Sequence, residues 1–378
     1  MQLRRPGELA GATQEISDND GLWTALYTAA QCFRYAVGGS SDAKEQAQRS
    51  VRALMRLESI TGVPGFPARA ISSTTEPGYE NRSKGEWHES TVEPGWMWKG
   101  DTSSDELVGH FFAYYVYHEL VANQQEKEQV RATCKRIMDH LLDNNFQLVD
   151  KDGKVTTWGV WTPEKLNDDP KWAVEKGLNS LEMLSFLKVA QHIVGDPRYE
   201  AAYRDLVNTH HYALNAMQAK VTDPKELNHS DDELEFLSWD PLLQLEKDPG
   251  LRGIYTAGIR RTWQVVRPEA SPLWNFIYGA STGEACEAQE AVQSLRDMPL
   301  DLIKWPVRNS TRADLKYDRQ PDRFRERQLL RPLPWTERPM HKWNGNPFLP
   351  DGGDGMQEED QTVWLLPYWL GRYHRIID

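Results

Sequence analysis

The chain has 378 residues, 44 Lys and Arg against 56 Asp and Glu, and a formal net charge of −12. That balance, with no long basic run, argues against a nucleic-acid binder, whose affinity rests on clustered Lys and Arg. No apolar stretch approaches the ~20 residues that span a bilayer, and three scattered cysteines, Cys32, Cys134 and Cys286, rule out a disulfide scaffold or a Cys-rich zinc site.

The first sixteen residues read as irregular, and the opening lacks the apolar core of a secretory signal. A cytoplasmic chain, or one trimmed of a leader, is expected. Periodicity predicts a first helix over 21–36, opened by the capping cluster Ser17, Asp18, Asn19 and Asp20. A second, over 42–60, sets Lys44, Glu45, Gln48, Arg49 and Arg52 opposite Ala47, Val51, Leu54 and Leu57. Helices over 104–121 and 125–142 follow. A β-hairpin is then predicted, with strands 146–149 and 154–158 around the turn 150–153. Further helix pairs occupy 178–194 with 197–212, 232–246 with 251–266, and 272–280 with 283–296; a last helix covers 360–377. Stretches 62–102 and 299–358 show no period and are rich in Pro, Gly and Trp, as ordered functional loops would be.

The first member of a pair is apolar nearly all round, as in 107–116 and 178–190, whereas the second keeps one charged face. Buried helices alternating with half-exposed ones imply an inner ring wrapped by an outer ring. The expected fold is therefore all-α, an (α/α)6 toroid formed as one domain over 1–378, with long aromatic loops and a small hairpin.

Fifteen Trp, 14 Tyr and 10 Phe accompany a mean hydropathy of −0.68. Flat apolar faces beside polar groups suit a sugar, whose C–H face stacks while its hydroxyls hydrogen-bond. Acids and amides open each inner helix: Asp18 and Asp20, Asp101, Asp105 and Glu106, Asn179 and Glu182, Asp231 and Asp232, Asn275, Glu359 and Asp360. Capping explains any one of them. Inner helices running the same way would nevertheless gather them at one mouth.

The densest segment runs from Trp96 to His110. It offers Trp98 and Lys99 as sugar contacts, and Asp101, Asp105 and His110 as acid–base groups, with Glu182 as a further carboxyl. Glu106, His110 and Tyr114 share one helical stripe, and Gly109 leaves space beside Asp105 for a ligand or a packed helix. Arg82, His88, Trp161, Asn179, Trp274, Asn275, Trp343, Asn344, Tyr368 and Arg372 complete the candidate walls. No metal ligand set or cofactor motif emerges. The G-x-S-x-G match at 279–283 follows a helix, not a strand, and is discounted.

With paired helices and the segment Trp98-Lys99-Gly100-Asp101-Thr102-Ser103-Ser104-Asp105-Glu106, the chain resembles the six-hairpin (α/α)6 toroid carbohydrate-active enzymes. The resemblance is one of architecture, over about residues 17–378, and carries no catalytic motif residue by residue. It implies a ligand funnel at the inner-helix starts. The first functional expectation is a glycoside hydrolase, exo-acting on oligosaccharides with glucuronides among them, using Asp105 with Asp101 or Glu182. The second is a polysaccharide lyase drawing its base from the Glu106, His110 and Tyr114 stripe. The third is a terpene-cyclase-like enzyme or a sugar-binding module. A carbohydrate ligand is the expected partner, with a homo-oligomer compatible and neither nucleic acid nor membrane.

Overall fold

The structure is a computed structural model that describes residues 1–76, 84–324, 327–339, 343 and 345–378. The helices are α1 Asp20–Gly38, α2 Ser41–Ser59, α3 Ser104–Leu120, α4 Gln124–Asp143, α5 Pro163–Leu166, α6 Lys176–Val194 and α7 Pro197–Asn208. They continue as α8 Tyr212–Ala216, α9 Ser230–Leu245, α10 Pro249–Val266, α11 Pro272–Thr282, α12 Ala288–Asp297 and α13 Thr362–Tyr373. Short strands β1 Ile71–Ser73, β2 Trp87–Glu89 and β3 Trp96–Lys99 form one sheet, and β4 Gln147–Val149 pairs with β5 Val155–Val160. β6 Val307–Arg308 pairs with β7 Asp351–Gly352. The protein is mainly helical, and no described helix is long and apolar enough to cross a membrane.

Burial follows the sequence pattern. In α3 and α6 apolar side chains point every way and nearly every residue is buried. In α2 and α4 a single stripe, such as Ala47, Val51 and Leu54, is covered. A helix apolar all round must find neighbours on all sides. Accordingly α1 packs on α3, α3 on α6, α6 on α9, α9 on α11, α11 on α13, and α13 on α1. One hydrophobic cluster runs from Leu22 of α1 to Leu370 of α13.

Local backbone chemistry moves several boundaries from their predicted places. His211 sits at φ +60 and splits the predicted 197–212 helix into α7 and α8. Gly283, at φ +72, caps α11 and accepts the left-handed turn at no steric cost; with Glu287 also left-handed, α12 starts only at Ala288. Residues 62–102, predicted as loop, hold an antiparallel sheet ordered β1-β3-β2. Strands of three or four residues are too short for alternation to register in the sequence.

Candidate functional site

Acidic side chains gather at the starts of α1, α3, α6 and α9. Ser103 caps α3 within a capping box: Glu106 Oε2 accepts from the Ser103 backbone N–H at 3.0 Å. The box turns Asp105 outward to a half-buried position, where it accepts from Asn19 Nδ2 at 3.1 Å and Ser103 Oγ at 2.7 Å. Asn19 thereby ties the start of α1 to α3. Its neighbour Asp20 accepts from the Ser17 backbone and hydroxyl, and burial raises the Asp20 carboxyl to about 6.

Glu182 lies in the second turn of α6, fully buried, with Oε2 accepting from Trp161 Nε1 at 2.7 Å. Burial lifts its carboxyl well above the usual range; the Trp161 bond opposes this, and the charges of Asp105, Asp231 and Glu175 add to it. Asp231, in the first turn of α9, accepts from Asn228 Nδ2 at 2.7 Å. Burial, then the charges of Glu175, Asp232 and Asp105, push it to about 8, against Lys220. Carboxyls from three helices thus sense one another.

A cavity of about 700 Å³ opens between the starts of α1 and α13, lined by Asp20, Trp23, Trp343, Glu359 and Asp360 among others. A second, of about 410 Å³, lies between the β1-β3-β2 sheet and the β4–β5 hairpin, bordered by Lys84, Lys99, Asp101, Asp150 and Thr157.

The structure separates the other predicted site residues. Asp101, at φ +51, accepts from the Thr157 N–H at 2.7 Å and hydroxyl at 3.0 Å, so both oxygens brace β5. His110 is wholly buried, its ring nitrogens facing the Glu106 and Leu54 carbonyls at 2.6 and 3.3 Å. Gly109 leaves no room for a ligand: a Cβ there would meet Leu22 Cα at 2.8 Å. Trp98, Trp161 and Trp274 are sealed in the core; Trp274 donates to Glu269 at 3.1 Å, and Asn275 accepts from Trp263 at 2.9 Å. Buried Asn179 donates to the Val160 carbonyl at 2.8 Å.

Lys99 is buried against Asp18 and the Lys84 carbonyl. His88 lies tilted against Trp98 with centroids 4.4 Å apart, Nε2 lying 3.1 Å from Glu86. Trp343 borders the cavity of about 700 Å³. Tyr368 and Arg372, bonded at 2.9 Å, lie on the later turns of α13, at the other end of that helix from Asp360. Arg82 and Asn344 lie outside the described residues.

The sequence offers Asp20 and Asp231 both as capping acids and as members of a convergent set, but not their desolvation, which burial in the fold supplies. Half-exposed Trp158 on β5, next to Thr157, is a further stacking face the sequence reading left out. No protein-family model matches the chain, and comparison with curated proteins gives no match.

Proposed function

We propose that the chain is an (α/α)6 toroid glycoside hydrolase in which Asp231 donates a proton and Asp105 acts as the carboxylate. The cycle of contacts from α1 through α3, α6, α9, α11 and α13 back to α1 supports the toroid. One observation carries the chemistry: Asp231, held near 8 by burial and neighbouring charge, keeps its proton at neutral pH within the field of Asp105. In the reaction, Asp231 protonates the glycosidic oxygen as the bond to the leaving sugar breaks. Asp105, oriented by Asn19 and Ser103, activates water or attacks the anomeric carbon. Glu182 on α6 is wholly buried, and burial raises its carboxyl as well.

Among the described residues, three lysines beside helix-start acids are already paired, which favours an uncharged oligosaccharide over a uronide. Lys99 is engaged by Asp18, Lys220 by Asp232 and Lys304 by Glu359. The lyase reading loses its base, because His110 and Tyr114 are both buried in the core.

Digestion of a panel of neutral and acidic oligosaccharides, read by reducing ends and by near-ultraviolet absorbance, tests the reading. Reducing ends without absorbance are expected, with kcat/KM falling roughly 10²–10⁴-fold in Asp105→Asn and Asp231→Asn. Wild-type activity should decline above about pH 8, as Asp231 loses its proton. An unsaturated product, or two fully active variants, would overturn it.

A further inference from the structure

We propose that His118, Glu119 and His192 form a binding site for a transition-metal ion of the zinc class, joining the last turns of α3 and α6. His118 Nδ1 lies 2.8 Å and His192 Nε2 2.9 Å from the same Glu119 oxygen. The three ligand atoms fall within 4.8 Å of one another. The two imidazoles stand 6.0 Å apart at 77°, so both present a nitrogen to one point without stacking.

Two hydrogen bonds converging on one carboxylate oxygen mark the place a metal ion would take, with the ring protons moved to the outer nitrogens. Tetrahedral ligands at 2.0–2.1 Å sit roughly 3.3–3.4 Å from one another. The 2.8–2.9 Å separations from Glu119 need open by about half an ångström, while the two ring nitrogens, within 4.8 Å of each other, settle at the same spacing; Glu119 and His192 are exposed enough to move. Their exposure also leaves a coordination position for water, as three-ligand zinc sites require.

Two further features favour a cation here. α3 ends at Leu120 and α6 at Val194, so both helix C-termini direct partial negative charge toward the site. The ligands also sit on rigid elements: His118 is largely buried and Tyr115 packs edge-on against His192 at 6.0 Å. Imidazole with a single carboxylate selects zinc, nickel or copper over the hard cations magnesium and calcium. A second histidine–carboxylate group, His229 with Asp232 and Glu269, differs because the Lys220 ammonium already neutralises Asp232.

Calorimetric titration of the tag-free protein with Zn²⁺, with thermal unfolding measured alongside, tests the proposal. One equivalent should bind and raise the melting temperature, whereas Mg²⁺ should do neither. Affinity should fall at least about tenfold in His118→Ala and in His192→Gln, as expected for lost ligands. His192 is partly exposed, so His192→Gln should fold, with an unchanged helical circular-dichroism spectrum. It should remain unchanged in His229→Ala. Absence of saturable Zn²⁺ binding, or equal binding by the His192→Gln variant, would overturn the site.

Discussion

Asp101 and Asp105 stand four residues apart and look alike in the sequence, yet their surroundings assign them different work. Asp101 spends both oxygens on Thr157 and adopts a left-handed backbone that Asp and Asn tolerate. Asp105 accepts from Asn19 and Ser103, and its charge is felt by Glu182 and Asp231. Asp101→Asn keeps the tolerated backbone and an oxygen able to accept from the Thr157 N–H. It should therefore retain activity within a few-fold, while Asp105→Asn abolishes most of it; parallel kinetics on one substrate compare them. Equal losses would return Asp101 to the reacting pair. Trp161 shows the same dependence on surroundings. In the chain it stands close to Glu164, but Glu164 bonds Thr162 while the indole reaches Glu182, 21 positions away. A Trp beside an acid in sequence does not mark a Trp beside that acid in space.

At the scale of elements, α1 and α3 meet through glycine. A Cβ on Gly109 would lie 2.8 Å from Leu22 Cα, 3.1 Å from Ala25 Cβ and 3.2 Å from the Gly21 carbonyl oxygen. Alanine in a helix interior gains roughly 1 kcal/mol over glycine in propensity. Here backbone would have to yield, and overpacking of this kind costs about 1–3 kcal/mol. The clash should win, so Gly109→Ala should lower the urea unfolding midpoint; a raised midpoint would mean that α1 and α3 are not in close contact. Helix α2 was legible in the sequence because its apolar residues repeat a 3.6 period, and α3 and α6 because their apolar runs are longer than a strand. The β1-β3-β2 sheet was not, because its strands end before an alternation can accumulate. Acid-bearing helix starts were legible too, though the sequence could not separate a capping acid from a desolvated one. The raised titration of Asp231 also draws on the charges of Glu175 and Asp105, which the chain brings in from the cap of α6 and from α3.

Across the whole molecule, buried acids couple the site to stability. Asp20 is raised to about 6, Glu106, Asp231 and Glu269 to about 8, and Glu182 and Glu235 are raised as well, with burial the largest cause throughout. In the unfolded chain such carboxyls titrate near pH 4. Between that value and the folded one, the unfolded chain has released a proton that the folded chain retains. Stability from each group is complete below about pH 4 and is lost as pH rises toward 8, by up to about 1.4 kcal/mol per pH unit per fully buried group. Glu106 offers the cleanest test, being wholly buried, with Arg69 at 3.8 Å and the hydrogen bonds from Ser103 pulling its titration down. Glu106→Gln keeps an oxygen for the Ser103 N–H but carries no titrating proton. Wild-type unfolding free energy, measured in urea at pH 5.5, 7 and 8.5, should fall across the series. The variant should fall less steeply and gain on the wild type at pH 8.5. Parallel curves would show that Glu106 ionises in the folded protein as readily as in the unfolded one, and that Arg69 and Ser103 together outweigh burial.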